Sequence, residues 1–169
     1  MTAKPEHMTS LSGNRLVSKA CGRIAFRGAV DSLEAEIIEA QILAEECGEP
    51  WYRERLAEVL SCLRDMLSAE VKDVPLAPPC LFGLTSDEIR RQSHEVKGTF
   101  GFEHPLPDYT MGPLAARLNL LRTRVRAAEL LAVRAFGPGE DAREDLILAV
   151  NRLSSALYWL FCKRVSGRK

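Results

Sequence analysis

The sequence predicts an all-α fold. Four long helices and a short fifth helix form an up-down bundle, with a long loop rich in proline and aromatic residues between the second and third long helices. Four stretches repeat apolar residues at alternating spacings of three and four, which places them on one face of a helix. No stretch alternates apolar and polar residues over the length of a strand, and no Asn-Gly hairpin signal occurs. Both observations favour an all-α bundle.

Each long helix is bounded by a recognisable break. The first apolar stripe runs from Val30 to Cys47 and stops at Gly48, and Pro50 stands where the second helix, over about residues 51–71, begins. The third helix covers about residues 113–136, and the fourth follows the Gly-Pro-Gly break at 137–139. A chain of 169 residues has the length of one domain, so a single domain is predicted.

The segment 73–113 differs from the rest of the chain. It holds six of the nine prolines, and within it only Thr85 to Glu88 has the pattern of a helix start, a capping box that opens a short helix to about His94. Connections of about forty residues in a compact domain are usually lids or binding loops. We expect this segment to cover a ligand.

Composition excludes several classes of protein. The 23 basic and 23 acidic residues cancel, whereas a nucleic-acid or anionic-membrane binder normally has a basic excess. No apolar run approaches the roughly 18 residues of a membrane span, and the first ten residues contain no apolar core of a secretion signal. Five widely spaced cysteines are typical of reduced thiols. These features predict a cytoplasmic protein that binds neither nucleic acid nor membrane.

The start of the first helix carries the first candidate residues. Asp31 lies among several acidic residues there, where it either interacts with the helix dipole or takes part in chemistry. Basic side chains and glycines precede it, a combination that suits a phosphate site although it is weakly specific. These residues are Lys19, Gly22, Arg23, Arg27 and Gly28.

The third helix contains the stronger candidate. Arg122, Arg126 and Glu129 follow one another at spacings of four and three and so share a narrow stripe beside the apolar face. A partly buried arginine there requires a partner. Either the arginines form a structural ion pair with an acid such as Asp31 or Glu34, or they form a guanidinium fork for polyphosphate.

Asn151 and Arg152 interrupt the apolar pattern of the fourth helix, and Asn151 lies next to its apolar face. This amide either satisfies a neighbouring helix end or binds a ligand. His7, His94 and His104 are isolated from one another in the sequence, so no protein-bound metal site is predicted. No Walker loop or nucleophile elbow occurs, and no residue is an obvious candidate for a general acid or base.

Three ordered segments resemble the ATP:cob(I)alamin adenosyltransferase family. VSKACGRIAFRGAVDSLE resembles the family's opening motif, RTRVRAAE its arginine-rich helix, and NRLSS its asparagine-arginine-leucine-serine signature. The segments LFGLTSDEI and GFEHPLPDYTMGPLAARLNLLR are most similar to the ethanolamine-utilisation (EutT) branch rather than the propanediol (PduO) branch. The resemblance covers about residues 5–165.

The resemblance implies a reaction and the residues for it. Cob(I)alamin would attack C5′ of ATP, bound with Mg²⁺, to give adenosylcobalamin and triphosphate. The implied catalytic residues are Asp31, Arg122 and Arg126, with Arg122 paired to Asp31. The implied ATP-binding residues are Lys19, Arg23, Gly28, Arg126, Glu129 and Asn151. The implied corrinoid contacts, one of which would displace the lower axial base, are Phe100, Phe102, Leu106 and Tyr109.

The resemblance also implies an assembly and a setting. Residues 1–27 would form a nucleotide-binding segment and residues 28–169 the helical bundle, with active sites between the subunits of a homotrimer. The setting would be ethanolamine utilisation, in the cytoplasm or a bacterial microcompartment, with an adenosylcobalamin-dependent ammonia-lyase as partner. Two alternatives stay open. One is a non-catalytic corrinoid carrier, favoured by Ser155 and by the lack of an evident glycine-rich phosphate loop. The other is a structural helical partner of a microcompartment enzyme.

Overall fold

Four long helices pack around one apolar core in the computed structural model, which describes residues 4–13, 15–139 and 142–167. The long helices are α1 (Gly22–Glu46), α2 (Pro50–Lys72), α5 (Gly112–Phe136) and α6 (Glu144–Ser166), and the short ones are α3 (Ser86–His94) and α4 (Val96–Phe100). The prediction of a helical bundle with a short additional helix is confirmed. Across these ranges each helix is too short or too polar to traverse a lipid bilayer.

The ends of the long helices follow from the sequence breaks. Gly48, with φ of +68°, ends α1, and Pro50 takes the first position of α2, where its missing N–H costs no hydrogen bond. Helix α2 ends at Asp73, a non-glycine residue in the left-handed region with φ of 54°. The acids Glu144 and Asp145 occupy the first turn of α6, where their negative charges interact favourably with the positive end of the helix dipole.

The helices are arranged so that α1 packs against α2 and α5, α5 packs against α6, and α6 contacts α2 to close the bundle. Helices α1 and α5 approach closely where Gly22 faces Ala135, since a Cβ at Gly22 would lie 3.4 Å from the Ala135 Cα. One turn further along α1, Phe26 packs edge-to-face on Phe136 at 5.2 Å between ring centroids. The start of α1 is therefore fixed against the end of α5.

A small β-hairpin, which no strand pattern in the sequence indicated, precedes α1. Strands β1 (Met8–Ser12) and β2 (Arg15–Ser18) pair antiparallel, with Met8 opposite Ser18 and an irregularity between Ser10 and Ser12. The strands are short and mostly exposed, and Leu11 is the one residue of either strand that is buried. A hairpin with a single buried side chain has no alternating apolar pattern, which is why the sequence did not indicate it.

The start of α1 lies earlier than the sequence indicated. The helix begins at Gly22, so residues 22–27, assigned from the resemblance to the N-terminal segment, form its first turns. Asp31 is therefore in the third turn and exposed, and the first turn contains no acidic residue. Because the helix dipole acts only over the terminal turn, the predicted interaction between the dipole and Asp31 is wrong. The predicted boundaries at residues 1 and 169 lie outside the described residues.

A buried carboxylate joins the hairpin to the bundle. Glu70 of α2 is fully buried, and its two oxygens accept hydrogen bonds from Arg23 Nε at 2.7 Å and Arg27 Nε at 2.6 Å. Arg23 also donates to the Glu70 carbonyl, while Arg27 donates to the Leu11 carbonyl of β1 at 2.8 Å. One acid thus links α1, α2 and β1.

A second charged cluster holds the end of α2 to the start of α6. Arg143 donates to both oxygens of Asp145, at 2.9 Å each, and to the Val74 carbonyl at 2.7 Å. The Leu76 N–H donates to Asp145 Oδ2 at 2.8 Å. The hydrogen bonds from Arg143 are the main reason that the pKa of Asp145 is lowered from 3.8 to about 2.

The segment between α2 and α5 is packed against the bundle. The predicted capping box is confirmed, because the Thr85 hydroxyl accepts from the Glu88 N–H and the Glu88 carboxylate accepts from the Thr85 N–H. Helix α3 ends at His94 as predicted and packs against α6. The segment buries Leu81, Ile89 and Val96 in the core. Its position is therefore fixed by apolar contacts.

Replacing the buried acid should destabilise the fold. We expect Glu70→Ala to lower the free energy of unfolding by about 3–5 kcal/mol, because two partly buried guanidiniums lose their counter-charge. Urea denaturation followed by circular dichroism measures the change. The control is Glu45→Ala, which removes an exposed partner of Arg53 and should cost less than about 1 kcal/mol. Equal losses in the two variants would contradict a structural role for Glu70.

The Asp145 cluster should give a pH-dependent stability. A carboxyl whose pKa is lower in the folded than in the unfolded state stabilises the fold above its unfolded pKa. That contribution is lost as the pH falls through the folded value. We expect the difference in unfolding free energy between wild type and Asp145→Asn to be constant above about pH 5 and to shrink from about pH 4 toward about pH 2. Urea titrations at a series of pH values measure it, and a difference unchanged at the lowest pH refutes the assignment.

Candidate functional site

Two cavities follow one another along α6, where α3 and α5 flank it. The first, of about 350 Å³, is called the Asn151 cavity and is lined by Arg90, Glu129, Glu144, Ile147, Leu148, Asn151 and Arg152. The second, of about 220 Å³, is called the Arg126 cavity and is lined by Ser93, His94, His104, Arg122, Arg126, Ser154, Ser155 and Tyr158. The residues predicted on the third and fourth long helices therefore line neighbouring cavities. The two cavities together are called the groove.

A chain of hydrogen bonds crosses the Asn151 cavity. Asn151 Nδ2 donates to Glu129 Oε1 at 2.8 Å, and Asn151 Oδ1 accepts from Arg152 Nη1 at 2.7 Å. The two interpretations of Asn151 were a partner for a helix end or for a ligand. The amide instead orients two charged side chains, one on α5 and one on α6. The arrangement places a carboxylate and a guanidinium at fixed positions beside the cavity.

Arg152 is buried to an unusual degree for an arginine. Only 4% of it is exposed, and its Nε has no hydrogen-bond partner among the described residues. Burial lowers the pKa of Arg152, the positive charge of Arg90 lowers it further, and the exposed Asp87, 4.0 Å away, opposes the shift. A buried cation with so little compensation attracts negative charge to this end of the groove.

The Arg126 cavity contains the two arginines of the predicted stripe. Arg122 is partly buried, donates from Nε to Asn119 Oδ1 at 3.1 Å, and lies 5.6 Å over the Tyr158 ring. Arg126 is exposed and, within the described ranges, takes part in no ion pair or hydrogen bond. Arg126 is therefore a charged donor aimed at a concave surface without a protein partner.

The aromatic end of the same cavity joins the long segment to α6. His104 Nδ1 and the Tyr158 hydroxyl share a hydrogen bond of 2.8 Å, and the two rings stack at 6.0 Å. Burial, reinforced by Cys162, raises the pKa of Tyr158 to about 12. The phenol therefore stays protonated at physiological pH and remains a hydrogen-bond donor.

The structural ion pair proposed as one interpretation of the third helix is not present. In the part of the chain that the structure describes, neither Arg122 nor Arg126 pairs with Asp31 or Glu34. Glu34 instead pairs with Arg64 at 3.1 Å. Any pairing of Arg122 with Asp31 would need a second copy of the chain.

The residues predicted on α1 and just before it lie apart from the groove. Arg23 is held by Glu70, while Lys19, Gly28 and Asp31 are exposed. A Cβ at Gly28 would meet no atom within 4 Å in this chain, so packing within the chain does not require glycine there. No hydrogen bond or ion pair between described residues connects these side chains to the α5–α6 groove.

The four predicted corrinoid contacts fall into two classes. Phe100 and Phe102 are partly buried, and Phe100 packs against Trp159 at 5.7 Å between centroids. Leu106 and Tyr109 are 86% and 87% exposed, so most of each apolar surface is free for a ligand.

Sequence reasoning missed several residues of the groove. Arg90, His94, His104 and Tyr158 all line it, although the histidines are ten residues apart in sequence and were treated as isolated. No spacing rule indicates such a cluster, because α3 and the loop after it meet only when both pack on α6. Among the described residues, no group of three or more His, Cys, Asp or Glu side chains is arranged to hold a metal ion.

Removing the bridging amide of Asn151 should lower the stability of the fold as well as the affinity for any ligand bound there. We expect Asn151→Ala to lower the free energy of unfolding by about 1–3 kcal/mol, because buried Arg152 loses an acceptor. Ser155→Ala, one turn along the same helix, should stay within about 0.5 kcal/mol of wild type. Chemical denaturation measures both. Equal stability of Asn151→Ala and wild type would exclude the structural part of this role.

Comparisons with known proteins find a matching family and similar relatives. The sequence model described as "Cobalamin adenosyltransferase" matches residues 1–164. Over 157 residues the chain is 38% identical to the corrinoid adenosyltransferase EutT of Salmonella typhimurium and 36% identical to that of Escherichia coli K12. Each alignment covers 92% of this chain and 57% of the relative, so the chain spans little more than half the length of these curated relatives.

No solved structure matches the chain significantly. The family match, by contrast, extends over both motif-bearing helices of the groove and over the segment that covers it. The chain belongs to the cobalamin adenosyltransferase family.

Proposed function

We propose that this chain is a corrinoid adenosyltransferase that transfers the 5′-deoxyadenosyl group of ATP to cob(I)alamin. The cobalt(I) nucleophile attacks C5′, the cobalt–carbon bond forms as the C5′–O bond breaks, and triphosphate leaves with the electron pair. Such a displacement needs no general base. It needs a held leaving group, compensation of its charge and exclusion of water.

Arg126 is the residue on which the proposal mainly rests. Its guanidinium lies in a cavity, is free of intrachain ion pairs among the described residues, and belongs to the matched family region. A guanidinium forms paired hydrogen bonds with phosphate oxygens, and its charge would stabilise the departing triphosphate. Asn151 and Glu129, fixed to each other at 2.8 Å, would bind the nucleotide beside it.

The candidate residues on α1, and Lys19 just before it, would act from a neighbouring copy of the chain. Lys19, Gly28 and Asp31 are exposed away from the groove. Arg23 donates from Nε and Nη2 to Glu70, which leaves both hydrogens of its Nη1 for a phosphate. Helices α1 and α5 also expose apolar side chains of the kind that subunit contacts bury, namely Ile38, Ile42, Leu120, Leu130 and Val133. A homotrimer would bring Asp31 of one copy to Arg122 of the next and complete each site.

The corrinoid would lie under the loop that carries Leu106. This side chain is apolar, exposed and flanked by Pro105 and Pro107, which restrict the backbone on both sides. We assign Leu106, with Tyr109, to the lower face of the corrin ring, where a bulky apolar group displaces the axial base. Phe100 and Phe102 would support the loop from the side of the core, since they pack against it.

Mg²⁺ would bind to the triphosphate of the nucleotide. The described residues supply no three-carboxylate group that holds a cation, whereas triphosphate oxygens are ligands that Mg²⁺ prefers. We also propose, from the names of the relatives, a role in ethanolamine utilisation. The product would then serve an adenosylcobalamin-dependent ammonia-lyase in the cytoplasm or in a microcompartment.

Anaerobic visible spectroscopy with cob(I)alamin and MgATP tests the activity. We expect wild type to convert the cob(I) spectrum to that of light-sensitive adenosylcobalamin. Arg126→Ala should weaken ATP binding at least about tenfold, because a charge-assisted contact to phosphate contributes about 1.5–3 kcal/mol. Its unfolding free energy should stay within about 0.5 kcal/mol of wild type, because Arg126 is exposed.

Arg64→Ala is the matched control, since Arg64 is an exposed arginine on α2 outside the groove. Unchanged ATP affinity in folded Arg126→Ala would remove Arg126 from the site. A corrinoid spectrum that shifts on binding but never converts would favour the carrier alternative. No spectral change at all would refute corrinoid binding.

A further inference from the structure

The loop of residues 102–111, called the Leu106 loop, is anchored at its ends and exposed between them. Phe102 and Met111 pack against the core, whereas Leu106 is 86% exposed. A loop segment with few buried apolar contacts opens at a low cost in free energy. The position of Leu106 therefore depends on the polar contacts that the middle of the loop makes with the bundle.

The middle of the loop meets α6 through His104. Its Nδ1 lies 2.8 Å from the Tyr158 hydroxyl, and the two rings stack with an interplanar angle of 11°. Leu106 follows His104 by two residues, and Pro105 between them restricts the backbone. The contact of His104 with α6 therefore limits the positions that Leu106 can take.

The phenol is the donor of this hydrogen bond. Burial raises the pKa of Tyr158 to about 12, so its hydroxyl keeps the proton. Cys162 also bonds this hydroxyl, and burial raises the pKa of its thiol to about 11. Because a thiol sulfur is a weak acceptor, the phenol proton is directed to the imidazole. His104 Nδ1 must therefore be unprotonated to accept it.

His104 faces positive charges. The titratable groups around it on the neighbouring helices are Arg122 and Arg126 on α5, His94 on α3 and Tyr158 on α6. The guanidinium of Arg122 lies 5.6 Å over the ring of Tyr158, on which His104 stacks. A protonated His104 would lose its role as acceptor and would place a further positive charge in this cavity.

The acids near His104 do not offset such a charge. Glu103, its neighbour in sequence, pairs with Lys97 at 2.6 Å. In the proposed trimer, Asp31 of the next copy would pair with Arg122 and would leave the charge of Arg126 uncompensated in the ligand-free protein. Protonation of His104 would therefore weaken its contact with α6 both by loss of the hydrogen bond and by repulsion.

We propose that the hydrogen bond between His104 and Tyr158 is a latch that positions the Leu106 loop for the corrinoid, and that protonation of His104 releases the loop. His104 is a positioning residue, since it acts on the corrinoid through the loop. Its role in corrinoid binding rests on the proposed adenosyltransferase function, whereas the latch itself is a property of the ligand-free chain. Histidine changes its charge between about pH 5 and 8, so the loop would be held at neutral pH and released in mild acid.

Two replacements of His104 separate the hydrogen bond from the ring. His104→Asn keeps an acceptor near the position of Nδ1 and has no charged form, whereas His104→Phe keeps an aromatic ring without an acceptor. Hydrogen–deuterium exchange of the Leu106 loop in the ligand-free protein, corrected for the intrinsic effect of pH on exchange, measures how often the loop opens.

We expect the protection of the Leu106 loop in wild type to fall at least about fivefold from about pH 7.5 to about pH 5.5, as loss of one hydrogen bond implies. Protection in His104→Asn should change less than about twofold over this range. His104→Phe should be as weakly protected at neutral pH as wild type is in mild acid.

His94→Gln is the matched control, because His94 lines the same cavity from α3 and is also a histidine. The pH dependence of the loop should remain in this variant. Three results would each refute the latch: protection in wild type that does not depend on pH, the wild-type pH dependence in His104→Asn, or its loss in His94→Gln.

The KM for cob(I)alamin tests the positioning role. At neutral pH, His104→Phe should raise it at least about threefold, because corrinoid binding must then also order the loop. The KM for ATP should change less than about twofold, and His104→Asn should restore the KM for cob(I)alamin to within about twofold of wild type. An unchanged KM for cob(I)alamin in His104→Phe, or an equal rise in the KM for ATP, would overturn this role. If wild type adenosylates no corrinoid, the proposed function fails, and the exchange experiment still decides the latch.

Discussion

The fully buried carboxylate of Glu70 constrains the rest of the structure. Two arginines one turn apart on α1 bind its two oxygens, and one of them extends to the Leu11 carbonyl of the hairpin. An uncompensated buried charge is costly, so α1, α2 and β1 must meet in one arrangement. The position of Lys19 follows, because it lies between the hairpin and the first turn of α1 and its N–H donates to the His7 carbonyl. The hairpin and the segment assigned to the nucleotide are thus held by the same acid that joins the first two helices.

The groove shows a second coupling of stability and function, on α6. This helix is apolar over most of its length, and its buried cation Arg152 depends on the neighbouring Asn151 for an acceptor. Asn151 in turn holds Glu129 of α5. Asn151 and Glu129, two of the residues proposed to bind ATP, are therefore ordered by the packing of two helices before any ligand arrives. Such preorganisation lowers the entropic cost of binding and explains why a polar amide interrupts an otherwise apolar surface.

The segment between α2 and α5 brings the remaining groups to the groove. Its large apolar residues are divided between packing and exposure: Phe100 supports the loop on Trp159, and Leu106 extends outward. The same fold places His94 and His104 on one cavity. Sequence spacing predicted the capping box and the end of α3, since both depend on contacts within a few residues. It did not predict the pairing of His104 with Tyr158, because that contact spans 54 residues.

The sequence by itself determined the helical bundle, the breaks at Gly48 and Pro50, and the stripe of Arg122, Arg126 and Glu129. Each depends on local backbone preference or on the period of an α-helix, which neighbouring residues specify. Only the tertiary structure decided that Arg23 is bound to Glu70, that Arg126 is unpaired among the described residues, and that Arg90, Arg152 and two histidines line one groove. The hairpin also belongs to this second group. These features depend on burial and on charges brought together from distant parts of the chain, and a sequence pattern contains neither quantity.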